Sequence, residues 1–203
     1  MDYDALIFDM DGTLVNNVEV ITKAWNQIFN QNNWKETVTN ELIQSCMGLN
    51  SHDIGVKIFP SIDESIATKR IEQCGVEELE YLKIEMGSSY IDKKTLEILS
   101  RRYKLFIVSN CMQGYIEEYL KRYQFEPHFT STLNASNGKT KSENIKYLVE
   151  KYNLKNPVYI GDTIKDYEAA KQANVKFVHA AYGFGKVDCP NKINNIKDLV
   201  IKK

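Results

Sequence analysis

Apolar and polar positions follow two rhythms along this chain. Residues 3–9 read as a buried strand, because Ala5-Leu6-Ile7-Phe8 is a short, wholly apolar run that stops at Asp9. From about 17 to 86 the spacing turns helical. Val18, Ile21, Trp25, Ile28 and Phe29 share one face, and Leu42, Ile43, Cys46 and Met47 mark a second helix after Thr39. Ile54 to Phe59 predicts a third helix, ending before Pro60. Ser61 and Glu64 have the spacing of a capping box. A fourth helix is expected from there, burying Ile71, Cys74, Leu79, Leu82 and Met86, with Gly75 as a weak point inside it. No strand pattern occurs in this stretch, which reads as an all-helical insert.

From about 92 helices and strands alternate. Leu96, Leu99 and Tyr103 share a helical face, and Leu105-Phe106-Ile107-Val108 is an apolar strand ending at Ser109-Asn110. Tyr115, Ile116, Tyr119, Leu120 and Tyr123 form the next helical face, followed by a short strand within 127–133. Ile145, Leu148, Val149 and Tyr152 mark a helix. Pro157-Val158-Tyr159-Ile160 is a strand ending in Gly161-Asp162-Thr163. Tyr167, Ala169, Ala170 and Ala173 form a helix, and Val175 to Ala180 the last strand. Apolar strands alternating with helices predict an α/β fold whose core is a Rossmann-like, doubly wound parallel sheet.

Composition narrows the function classes. The chain of 203 residues is 43% hydrophobic and 26% charged, as a soluble globule would be. A formal net charge of -1 offers no general attraction to nucleic acid or an anionic membrane, so neither is expected as a partner. Cys46, Cys74, Cys111 and Cys189 are scattered without a CxxC pair and read as reduced thiols. No charged-then-apolar leader and no bilayer-length apolar run is present, so a cytoplasmic protein is expected.

Three strand tips carry chemistry. In a parallel sheet the carboxyl ends share one rim, where α/β proteins bind ligands. Asp9 and Asp11, Ser109 and Asn110, and Asp162 and Asp166 all follow such strands. Two acids so close repel unless a cation or a proton intervenes. Oxygen-only ligands such as Asp9 and Asp162 suit Mg²⁺, and the absence of His and Cys ligands argues against zinc. A carboxylate is a competent nucleophile at phosphorus. A second acid two residues on can protonate the leaving oxygen and later activate water. Ser109 and Asn110 are suited to phosphoryl oxygens, and a lysine would complete the charge balance.

These motifs resemble, in order, the four motifs of the haloacid dehalogenase superfamily: Asp9-Met10-Asp11-Gly12-Thr13-Leu14, Ser109-Asn110, a lysine at 139 or 141, and Gly161-Asp162-Thr163-Ile164-Lys165-Asp166. The helical insert resembles the cap of its phosphoglycolate phosphatase-like branch. The resemblance implies a core of residues 1–15 and 88–203 and a cap of 16–87. It further implies Asp9 as nucleophile and metal ligand, and Asp11 as general acid/base offering its backbone carbonyl to the metal. Asp162 and Asp166 would be metal residues, Asp166 directly or through water. Ser109, Asn110, Gly12 and Thr13 would hold the phosphoryl group. Asp11 favours phosphoryl transfer over dehalogenation. Lys141 begins the family's lysine–small-residue helix start and is favoured as the catalytic, phosphate-binding lysine, with Lys139, which fits a second spacing, as the alternate. Thr140 and Glu143 put either lysine at a helix N-terminus, which favours anions.

The expectation is a Mg²⁺-dependent, monomeric phosphatase of a small phosphorylated metabolite, working through an aspartyl-phosphate on Asp9. A phosphomutase of the β-phosphoglucomutase type and a phosphorelay receiver-like module are the alternatives. Ser51 stands where those sugar-phosphate mutases carry an arginine, and a receiver has no long helical insert. Substrate choice is expected around Asn16, Asn17 and 48–52. Other signals have plainer readings. Gly183-Phe184-Gly185 reads as a loop, Trp25 and Trp34 as packing, and Cys111 as a buried inert thiol. His52, His128 and His179 read as structural or exposed, and Thr163 with Asp166 also has N-cap spacing.

Overall fold

The computed structural model describes residues 3–201. β1 (Ala5–Phe8) is buried throughout, and β2 (Val15–Asn16) follows a short turn. Four helices come next, α1 (Val18–Gln31), α2 (Asn40–Gln44), α3 (Ser51–Ile58) and α4 (Glu64–Ile84). β3 (Ser88–Ser89) then pairs antiparallel with β2. The rest alternates through α5 (Lys93–Ser100), β4 (Lys104–Val108), α6 (Tyr115–Tyr123), β5 (Ser131–Leu133) and α7 (Lys141–Lys151). It ends with β6 (Pro157–Gly161), α8 (Ile164–Gln172), β7 (Lys176–Ala180), β8 (Lys192–Ile193) and α9 (Asp198–Ile201). The chain forms two compact units: Asn17–Gly87, and the residues before and after it.

The larger unit is built on a six-stranded sheet in the order β5-β4-β1-β6-β7-β8, with every neighbouring pair parallel. This is the α/β, Rossmann-like sheet that the apolar runs predict. β1 lies between β4 and β6, so the strand order reverses beside it, and such a switch point opens a crevice at the carboxyl ends. Ile7, Phe106, Val108 and Tyr159 form one core with Ile145 and Leu148 of α7 and Ala169 and Ala170 of α8. Their burial is the main stabilising term, at roughly 25 cal/mol per Å² of apolar surface removed from water.

Two later strand expectations change. Within 127–133 only Ser131–Leu133 is a strand. Glu126–His128 is a 3-10 turn containing Pro127, which has no amide for a ladder. Val175 closes the end of α8 by donating its N–H to Ala170 O at 2.9 Å, so the strand starts at Lys176. It is not the last strand, because β8 follows it.

The smaller unit is all-helical among its described residues. Phe29 centres an aromatic cluster, with ring centroids 5.3 Å from Phe59, 5.4 Å from Trp34 and 6.3 Å from Trp25. The Arg70 guanidinium lies 4.6 Å over Trp34, and the Trp25 indole N–H donates to buried Glu78. Both tryptophans therefore pack this unit. The Ser61–Glu64 box does not form. Asp63 directly precedes α4, and its carboxylate accepts the Ser65 and Ile66 N–H groups at 2.9 and 3.3 Å. Gly75 is buried inside α4, which runs through it unbroken. Asn17 is buried and accepts the Gly87 N–H at 2.7 Å, tying together the two ends of the unit. No described helix is long and apolar enough to cross a membrane.

Candidate active site

Sheet register assembles the site. Phe8 sits opposite Ile107 of β4 and Ile160 of β6. Ser109 and Asp162 therefore follow their strands beside Asp9. The Asp9 N–H donates to Ile160 O at 2.9 Å, which anchors it to the sheet. The chain then turns back tightly. Met10 O accepts the N–H groups of Thr13, Leu14 and Val15, and the Gly12 N–H donates to Val15 O at 2.9 Å. Gly12 has φ +79°, and a Cβ there would lie 2.2 Å from Asp162 Oδ2, so glycine is demanded twice over.

Three buried carboxylates meet at this rim. Asp9, Asp162 and Asp166 each bring an oxygen within 4.8 Å of the others. Lys141, at the first position of α7, donates to Asp9 Oδ1 at 3.0 Å and to Asp166 Oδ1 at 2.6 Å. The Thr140–Glu143 capping box that positions it forms as its spacing predicts. Asp166 Oδ2 accepts from the Thr163 N–H at 3.0 Å and the Thr163 hydroxyl at 2.6 Å. The N-cap pair and the acidic cluster thus share one carboxylate. Asp162 Oδ2 accepts the Phe184 N–H at 2.7 Å and the Gly185 N–H at 3.4 Å. A Cβ on Gly183 would stand 2.3 Å from Asp162 Cβ, so this loop closes directly onto the acid.

Electrostatics follow from the crowding. Burial, then the nearby Asp166, raise Asp9 against the pull of Lys141. Burial and the charges of Asp166 and Asp9 push Asp162 up to about 8. Burial pushes Asp11 up to about 7, opposed by the Tyr115 hydrogen bond. Burial alone would lower Lys141, but Asp166 and Asp9 override it and raise it. Three buried carboxylates against one ammonium leave a negative surplus in an all-oxygen donor set, and this fits a hard divalent cation.

Not every expected residue joins the cluster. The Asp11 carboxylate lies outside the group of three and accepts the Tyr115 hydroxyl at Oδ1, 2.5 Å away. Lys139 is exposed, with its ammonium 4.7 Å from the Tyr147 ring centre. The amides of Gly12 and Thr13 are spent inside the turn, and the Thr13 hydroxyl points to Asp162 Oδ1 at 3.5 Å. In this structure these contacts brace the turn and Asp162. Ser109 is buried at the end of β4 and accepts the Cys111 N–H at 3.4 Å, with half-buried Asn110 next to it. Cys111 is half-buried rather than buried, and desolvation and the Asp11 charge raise its thiol. Three contributors have no signature in the sequence reading: the Tyr115 hydroxyl and the backbone amides of Phe184 and Gly185. Tyr115 shows there only as a helical-face aromatic, and the Gly-Phe-Gly run is the one trace of the loop.

The fold is shared with solved proteins. A predicted phosphoglycolate phosphatase from Haemophilus somnus superposes with a TM-score of 0.85 at 20% identity, covering 99% of this chain and 98% of that one. A predicted phosphatase from Clostridium acetobutylicum gives 0.82 at 22%, covering 98% and 97%. A haloacid dehalogenase-like family protein from Streptococcus pneumoniae gives 0.80 at 18%, covering 98% and 97%. Comparison with curated proteins returns no match. The family model for haloacid dehalogenase-like hydrolases matches residues 6–180 and so spans all four motifs, and the chain belongs to that family.

Proposed function

We propose that the chain is a Mg²⁺-dependent phosphatase of a small phosphorylated metabolite, working through an aspartyl-phosphate on Asp9. The observation that carries this reading is the contact of Lys141 with Asp9 and Asp166 inside a cluster completed by Asp162. That similar structures are described as phosphatases is in keeping with it. Asp9, Asp162 and Asp166 are the carboxylates suited to hold the cation, Asp166 directly or through water. When bound, it would offset the repulsion between the phosphoryl group and Asp9.

Each residue then has a task. Asp9 attacks phosphorus, and Lys141 steadies its carboxylate and the phosphoryl charge. Asp11 protonates the leaving oxygen and takes a proton from the water that later frees Asp9. Ser109 and Asn110 hold phosphoryl oxygens. Asp166 keeps Lys141 aimed, through an oxygen that Thr163 leaves free for it. The helical unit takes the part of the cap. Asp9→Asn, which keeps the shape and removes the nucleophile, should cut phosphate release by about 10³-fold or more on any substrate found in a metabolite panel. A variant that releases phosphate at the parent rate in a clean preparation would falsify the assignment. Isomerised sugar phosphate without net phosphate release would mark a phosphomutase instead.

A further inference from the structure

We propose that Tyr115 is a positioning residue that fixes the carboxyl group of Asp11, so that the proton Asp11 gives to the leaving group sits on Oδ2. This inference rests on the phosphatase reading above. The Tyr115 hydroxyl stands 2.5 Å from Asp11 Oδ1, within the short range of O–H donors to carboxylates. A phenol hydroxyl donating to Oδ1 occupies that oxygen as an acceptor. Oδ2 has no protein hydrogen bond among the described residues and is the atom left to carry a proton.

The donor itself is held firmly. The Tyr115 side chain is buried, with 3% of the residue exposed. Its backbone opens α6 behind Gly114, which has φ +94° and donates its N–H to the Glu117 carboxylate at 3.1 Å. The Tyr115 N–H returns to Met112 O at 3.3 Å. Asp11, by contrast, lies on the turn after β1 and has no ion pair among the described residues, so the phenol is what orients its carboxyl group.

The step balances as follows. A carboxylate oxygen of Asp9 forms a bond to phosphorus, and the bond from phosphorus to the leaving oxygen breaks. That oxygen takes the Oδ2 proton, leaving Asp11 as a carboxylate. Water then attacks phosphorus and gives its proton to Asp11, releasing inorganic phosphate and free Asp9.

Proton donation matters only for a poor leaving group, and this gives the test. Phenyl phosphate leaves as a phenol of pKa about 10 and needs the proton. 2,4-Dinitrophenyl phosphate leaves as a stable anion and does not. The constant to compare is kcat/KM, which reports transition-state stabilisation relative to free enzyme and substrate. For Tyr115→Phe with Mg²⁺ present, kcat/KM is expected to fall on the order of 10- to 100-fold for phenyl phosphate and less than about threefold for the dinitrophenyl ester. In an Asp11→Asn background the same substitution should change neither. The ratio of the two esters is taken within one preparation and is independent of how much of the variant is folded. Tyr115→Leu serves as a second variant should the Phe form not accumulate. Equal losses on both esters, or an undiminished effect in the Asp11→Asn background, overturn the role of Tyr115 while leaving the phosphatase reading standing. Turnover that survives Asp9→Asn, or no turnover of either ester by the parent protein, overturns the phosphatase reading and this proposal with it.

Discussion

Lys141 is a structural residue that, on the proposed reading, is chemical as well. Its ammonium is buried and bridges Asp9 at 3.0 Å and Asp166 at 2.6 Å, whereas Lys139, two positions earlier, is exposed beside Tyr147. Removing one partner of a buried ion pair strands the other's charge. Lys141→Met should therefore cost about 3–5 kcal/mol of stability in metal-free protein, read by urea unfolding, and abolish phosphate release. Lys139→Ala should cost less than about 1 kcal/mol, since it gives up only an exposed cation–π contact, and should leave phosphate release unchanged. The reverse ranking would exchange their roles. Gly12→Ala carries a second expectation. It needs φ +79° and puts a Cβ 2.2 Å from Asp162 Oδ2, so its fitted Mg²⁺ affinity should drop at least about tenfold. At this scale the acids at the strand tips were legible in the sequence, because their positions follow from where apolar runs stop. The lysine–small-residue start favours Lys141, the lysine that faces inward, but Lys139 stays open as the alternate because both lie at one helix start. Tyr115 was hidden because an aromatic on an amphipathic face reads as core, and its ring is indeed buried. The amides of Phe184 and Gly185 were hidden because a backbone donor has no letter of its own.

Elements were legible in proportion to how much of them is buried. β1, β4, β6 and β7 are interior strands with nearly continuous apolar runs; β4, β6 and β7 lie where their runs predict to within a residue, whereas β1 starts two residues later than the strand expected over 3–9, since only its wholly apolar part is strand. The edge strands β5 and β8 are three and two residues long, too short for a period to show. Helix starts depended on which of several capping residues wins. Thr39, Thr140 and Thr163 cap as expected, but Asp63 displaces Ser61. Asp92 caps α5 by accepting the Thr95 N–H at 2.7 Å and pairs with Lys197 at 2.9 Å. Asp92→Ala should destabilise by about 1 kcal/mol, mostly through the cap, because the ion pair is solvent-screened. The Lys197 partner and the Thr95 amide lower Asp92 to about 2. Since its folded value lies below the unfolded one of about 3.9, the contribution is complete above that value and is lost as pH falls through about 2. Urea midpoints of parent and variant should therefore differ fully at about pH 6, draw together below about pH 4 and converge only at about pH 2 and below. A gap that widens on acidification would contradict the assignment.

At the scale of the whole molecule, a cation held as proposed would couple folding and protons at the acidic rim. The chain carries a formal net charge of only -1, yet three carboxylates are buried together against one ammonium. In metal-free protein Asp9 is raised and Asp162 stands at about 8, chiefly through desolvation. Between the unfolded value of about 4 and those raised values, the folded protein holds more protons than the unfolded chain. Stability is then greatest below the unfolded value and falls as pH rises through the folded ones. A divalent cation needs these oxygens ionised, so its binding expels protons and reverses the local preference. Three consequences are joined. Metal-free protein should melt at a lower temperature at about pH 8.5 than at about pH 6. Saturating Mg²⁺ should raise the melting temperature more at the higher pH, because fewer protons must leave. Near pH 7, calorimetry in buffers of different ionisation enthalpy should register about one proton released per cation, mainly from Asp162. Asp162→Asn separates this account from a general salt effect. That variant has no proton to lose at the position, so it should lose most of the proton release and most of the Mg²⁺ stabilisation. Equal stabilisation by Mg²⁺ at both pH values, or full proton release from the Asn variant, would mean that the cation binds elsewhere than at this cluster.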